Sequence, residues 1–277
     1  MSESGWVETN GARLYCEADG AGTPLVLLHA GIANLRQWDP HVPAFAERYR
    51  VIRYDARGYG RTDSEHVAYR NRDDLAAVLD HFGATAAHIL GCSRSGAIVI
   101  DFAVEHPERV ISLTDVAGGL GGYDPGLPPE VTAPGEVMDT AWEKLSAAKN
   151  WATLAERETT FWVEGETQQP GRVDPALRAL VHDWIYTRYV AEPEEGDPQR
   201  TDPPAVERLD RLTMPVLVIY GDLDDAWTNA TCRYVAATVP GARLEVFENA
   251  AHMLNLEQPE RFTRVVLDFL TEVDART

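Results

Sequence analysis

Short apolar runs recur along the chain at Leu25-Val26-Leu27-Leu28, Val51-Ile52-Arg53-Tyr54, His88-Ile89-Leu90, Val110 to Val116, and Val216-Leu217-Val218-Ile219-Tyr220. Their length and β-branched content read as strands buried on both faces. Ahead of them, Gly5 to Thr9 and Ala12 to Ala18 mix polar and apolar positions around an Asn10-Gly11 pair suited to positive φ, which predicts a hairpin. Between the runs lie segments of helical period, such as Asp73 to Phe82, where apolar residues recur at three and four before Gly83. Such alternation predicts an α/β fold with a mainly parallel sheet of about eight strands, helices on both faces, and ligands at the strands' carboxyl ends.

The alternation breaks after Ala117-Gly118-Gly119-Leu120-Gly121-Gly122 and resumes near Leu212-Thr213-Met214-Pro215. Residues 1–120 and 206–277 are therefore expected to form the core, with 121–205 a helical insertion after the sixth strand. The insertion holds four of the seven tryptophans, and among them Trp142, Trp162 and Trp184 are candidates to line a pocket or to form the insertion's own core. Glu192-Pro193-Glu194-Glu195-Gly196-Asp197-Pro198 reads as an exposed loop leading back to the core.

Charge narrows the partners. A formal net charge of -19 over 277 residues repels phosphate backbones and anionic membrane surfaces, so neither nucleic acid nor membrane is an expected partner. Cys16, Cys92 and Cys232 are odd in number and far apart, fitting neither a disulfide framework nor a zinc ligand set. Reduced thiols, no metal and no cofactor are expected. No basic and apolar leader precedes the first strand, and no run is long enough to span a bilayer, which predicts a cytoplasmic protein.

The chemistry is concentrated at Gly91-Cys92-Ser93-Arg94-Ser95-Gly96, between the strand ending at Leu90 and the helical run Ala97 to Val104. A serine on a strand-to-helix turn with small residues two before and two after it is a nucleophile elbow, and Ser93 has Gly91 and Ser95 in those places. A second register would make Ser95 the nucleophile, but it lies two residues further past the strand. Cys92 should point away from Ser93 by strand alternation. His252 follows the strand Leu244 to Phe247, where a general base for Ser93 has to sit. Gly221-Asp222-Leu223-Asp224-Asp225 follows the strand Val216 to Tyr220 and offers the carboxylate, Asp224 first and Asp222 as the alternative. Donors for an oxyanion are expected from the Arg94 N–H and from Gly31 or Ile32 after Leu28. His29 reads as a buttress of these loops. Asp115, inside an apolar strand, calls for a buried polar partner.

These motifs resemble the α/β-hydrolase superfamily, and within it the group of serine carboxylesterases, enol-lactonases and cofactor-free haloperoxidases. Leu28-His29-Ala30-Gly31 is similar to its oxyanion loop, and Asp55-Ala56-Arg57-Gly58-Tyr59-Gly60-Arg61-Thr62 to its Asp-x-Arg-Gly-x-Gly-x-Ser segment. The resemblance runs from about Val7 to Leu270 and implies that the insertion is a helical lid over the serine. Three residues depart from it: Ala30 and Ser95 stand where glycine is usual, and Arg94 where an apolar residue is common. The Arg94 side chain would meet either a substrate carboxylate or a carboxylate of the lid.

The expected activity is hydrolysis of small carboxylic esters through an acyl-enzyme on Ser93. Lactone hydrolysis and perhydrolase-like haloperoxidase chemistry are the alternatives for the same three residues, and a non-catalytic ligand-binding role is the reading from another class. Dehalogenation is disfavoured, because it needs an aspartate where Ser93 stands. The partner is a small ester or lactone, and the protein a monomer or homodimer.

Overall fold

The computed structural model describes residues 3–276. Eight strands make the main sheet: β1 (Glu3–Thr9), β2 (Ala12–Gly20), β3 (Thr23–Leu28), β4 (Tyr49–Tyr54), β5 (Ala87–Cys92), β6 (Val110–Val116), β7 (Val216–Gly221) and β8 (Arg243–Phe247). A two-residue strand, Asp63–Ser64, adds to β2. The order across the sheet is β1-β2-β4-β3-β5-β6-β7-β8. Pairing is antiparallel from β1 through β2 to β4 and parallel from there on. The chain winds one way from β3 to β4 and the other from β5 onward, so a crevice opens beyond the carboxyl ends of β3 and β5, where Leu28 pairs with Gly91.

Alternation along each strand sends side chains into two separate cores. Val26, Leu28, Ile89, Val218 and Tyr220 join one face, while Leu25, Leu27, Leu90, Leu217 and Ile219 join the other. Helices α1 (Asn71–His81), α2 (Arg94–Glu105) and α6 (Ala226–Thr238) contribute to the first core, and α7 (Pro259–Asp274) covers the second. Between β6 and β7 the chain forms α3 (Pro129–Ala147), α4 (Trp151–Glu158), a π-helical turn over Thr159–Glu164, and α5 (Pro175–Ala191). Helix α3 buries none of its residues. Among the described residues no helix is long and apolar enough to cross a membrane.

The loop expected to be merely exposed, Glu192 to Pro198, is tied down. Asp197–Pro198 pairs in parallel with Ala68–Tyr69, and Glu195 forms ion pairs with both Arg94 and Arg188. Its proline and acidic content signalled solvent, but the basic residues it meets lie far away in sequence.

At the crossing of β5 and α2 the backbones nearly touch. A Cβ on Gly91 would lie 2.3 Å from the Ser95 carbonyl oxygen and 2.9 Å from Val99 Cγ1. Gly91→Ala should therefore lower stability by about 2 kcal/mol, as overpacking of a close-packed site does, whereas Gly5→Ala, with nothing within 4 Å of its Cβ, should leave the urea midpoint unchanged. Equal midpoints for the two variants would show that the crossing is not tight.

Candidate active site

Ser93 sits between β5 and α2 with φ 58° and ψ −120°, a conformation that costs a non-glycine residue about 1–3 kcal/mol. It persists because both flanks are fixed: the Ser93 N–H donates to the Val116 carbonyl at 2.8 Å, and the Gly91 contact holds the helix against the strand. Two other non-glycine residues with positive φ, Ala117 and Asn249, lie just beyond β6 and β8. Backbone strain thus gathers along the carboxyl edge of the sheet, around one place.

His252 lies there, buried, with Nδ1 2.7 Å from Asp224 Oδ2. The structure brings Asp224, and not Asp222, to the histidine: Asp222 is exposed, and its N–H bonds to the Phe247 carbonyl. Burial alone would lower the His252 pKa, but the charge and hydrogen bond of Asp224 outweigh it and raise it above the ordinary value. Burial also lifts Asp224, against the pull of His252. Asp224, Asp225 and His252 each offer an atom within 4.8 Å of the others, a spacing a metal ion could use, but Asp224 and His252 are already committed to one another.

Ser93 and His252 line one cavity of about 550 Å³, of a size suited to a small organic ligand. Of the three tryptophans expected in a pocket, only Trp162 lines it. Its ring lies against that of His252, centroids 4.5 Å apart and planes tilted by 44°, and its carbonyl accepts from the His252 N–H at 3.1 Å. Trp142 is exposed and donates to the Tyr189 hydroxyl, while Trp184 packs partly buried against the second core. Trp227, at the start of α6, takes part in the wall instead; its position beside Asp224 and Asp225 in sequence was the available signal.

The departures at the elbow find physical reasons. Ser95, fully buried, donates its hydroxyl to the His29 carbonyl at 2.6 Å, fastening the loop after β3 to the first turn of α2. Its oxygen is committed there, and the Ser95 register is not the one the structure presents to the cavity. His29 is a buttress: Nδ1 lies 2.8 Å from its neighbour's carbonyl, Nε2 accepts the Ala56 N–H at 3.0 Å, and burial lowers its pKa to about 4. Gly31 packs against Arg94 and the Tyr59 hydroxyl, and Ile32 lies partly against the second core; neither is part of the cavity wall. The Arg94 N–H opens α2, where backbone donors have no intrahelical acceptor. Cys92 is buried, and burial pushes its thiol up to about 12, so no thiolate forms there.

Arg94 reaches Glu195 at 2.6 Å, so its side chain meets a carboxylate of the protein. Asp115 corrects the expectation of a polar partner. Both carboxylate oxygens are buried without a hydrogen bond, close against Gly96 and Gly118. Burial raises its pKa to about 7, the direction that desolvation of a carboxylate without a partner dictates.

The chain belongs to the α/β-hydrolase fold family, whose model matches residues 23–259. It is 32% identical over 275 residues, 93% of this chain and 91% of the relative, to a 2-hydroxy-6-oxononadienedioate/2-hydroxy-6-oxononatrienedioate hydrolase of Paraburkholderia phymatum. It is 26% identical to carboxylesterase YbfK of Bacillus subtilis, over 97% of this chain and 88% of that one. Among solved structures it resembles the enol-lactonase of Burkholderia xenovorans LB400, with a TM-score of 0.75 and 25% identity, covering 96% of this chain and 100% of that one.

Because Asp224 holds the imidazolium, ring-carbon NMR titration should place the His252 pKa above about 6.5, and in Asp224→Asn it should fall below that value. The sign for stability follows: the pair's contribution is complete below about pH 6.5 and is lost as pH rises through the folded-state value. An unchanged histidine titration in Asp224→Asn would refute the pairing.

Proposed function

We propose that this protein hydrolyses small carboxylic esters through an acyl-enzyme on Ser93. The observation that carries the reading is one cavity faced by Ser93 on its strained turn and by His252, whose far nitrogen is held by Asp224. Ser93 Oγ attacks the ester carbonyl as His252 takes its proton, and Asp224 fixes the tautomer and stabilises the imidazolium. His252 returns the proton to the leaving alcohol. Water, deprotonated by the same histidine, then attacks the acyl-serine and releases the carboxylic acid. The Arg94 N–H and an amide of Gly31 or Ile32 act as the oxyanion donors, and the Ser95–His29 hydrogen bond sets the spacing between their two loops.

Residues 121–205 act as a cap over this site, and Trp162 fixes the face of His252. Lactone hydrolysis needs the same three residues and the same steps, with the alcohol still tethered to the acyl group. The enol-lactonase likeness supports keeping it as the second reading.

Wild-type protein should label with a fluorophosphonate probe and hydrolyse short p-nitrophenyl esters. Ser93→Ala should abolish labelling, Ser95→Ala should keep it, and His252→Ala should cut kcat by about 10⁴ or more. Because the acting base is neutral His252, kcat/KM should rise with pH along a limb above about 6.5. Labelling that survives Ser93→Ala would sink the mechanism, and hydrolysis of lactones alone would favour the second reading.

A further inference from the structure

The cavity beside Ser93 carries an excess of negative charge. Asp225, Glu166, Glu136 and Asp139 line it, and besides His252, which is paired with Asp224, two positive features at its wall are already answered by the protein. One is the Arg94 guanidinium, whose Nη2 bonds Glu195 at 2.6 Å and Asn71 at 3.4 Å; its Nη1 has no acceptor, but the charge is shared with Glu195. The other is the amino end of α6. There Asp225 Oδ1 accepts the N–H groups of Trp227 and Thr228, each at 3.0 Å, and Glu166 Oε2 accepts that of Ala226 at 3.2 Å. A carboxylate on a substrate would find these donors occupied and four like charges around it.

A cation would find the opposite. Asp225 is only 8% exposed, and its Oδ2 is buried with no hydrogen-bond donor, a costly state that a nearby positive charge relieves. Burial, with the charges of Asp225 and Asp224 behind it, raises the pKa of Glu166, which is what crowded negative charge does. Phe161, Trp162 and Trp227 bring aromatic rings to the same wall, and the faces of such rings attract organic cations.

We propose that the site selects esters bearing an organic cation, an ammonium group on the acyl or alcohol part, and disfavours esters bearing a carboxylate. Asp225 and Glu166 determine that preference. The proposal rests on the esterase reading for its substrates, but the preference is separable from turnover.

The test is a set of three p-nitrophenyl esters of matched length ending in trimethylammonium, tert-butyl or carboxylate. The expected order of kcat/KM is cation, neutral, anion, with the cation-to-neutral ratio near tenfold at low salt and shrinking as salt screens the field. Asp225→Asn, which keeps the cap of α6, and Glu166→Gln should each lower that ratio several-fold. Binding is read independently on Ser93→Ala from tryptophan fluorescence, with uncleavable amides of the same three acids. Equal or tighter binding of the carboxylate, or a ratio untouched in both acidic variants, overturns the preference. If no ester is turned over while the cationic amide binds tightest, the preference stands and the esterase reading fails.

Discussion

At Gly91 there is no room for a side chain, and the geometry of the site follows from that contact. The β5 backbone lies against the first turn of α2, so the chain has only Ser93 in which to reverse direction. Ser93 absorbs the reversal as a positive φ, which lifts it out of the sheet at the crevice. The same closeness lets the Ser95 hydroxyl reach the His29 carbonyl, so the loop after β3 is held by the helix that follows β5. A residue that departs from the family pattern thereby adds a fastening that glycine could not supply.

Histidine and acid are positioned from further away, with the inserted segment as a participant. Arg172 donates to the carbonyls of Glu164 and Val163 on the π-helical turn and to that of Asn249 ahead of His252. The His252 N–H donates back to Trp162. Gly165 passes so close to the Leu223 carbonyl that a Cβ there would lie 2.7 Å from it. The wall carrying Trp162 is therefore fixed to the loops after β7 and β8, and with the imidazole's position goes the position of the indole beside it.

Most of the sheet was legible because strands buried on both faces are short apolar runs, and turns such as Asn10-Gly11 announce themselves. The places of Ser93 and His252 at strand ends were legible; Asp222 and Asp224 follow the same strand, and only the spacing of three residues after Gly221 favoured Asp224. The pocket was not legible. Tryptophans in a helical insertion have no sequence mark that says which side faces the core, so Trp142 and Trp184 looked as suitable as Trp162. Pairings across a hundred residues were equally hidden: Arg94 with Glu195 made an acidic, proline-rich loop part of the site's surroundings. At Asp115 a rule about buried charges pointed to a partner, but both oxygens stand without one and burial raises the pKa instead.

Helix α3 stands apart from this fixed frame. It supplies Val131, Thr132, Glu136 and Met138 to the cavity wall while burying nothing of its own. Residues in such a position can be exchanged at little cost to folding, since no core depends on them. Changes on this one surface helix would therefore reshape a cavity wall while leaving the crowded sheet edge beneath it untouched.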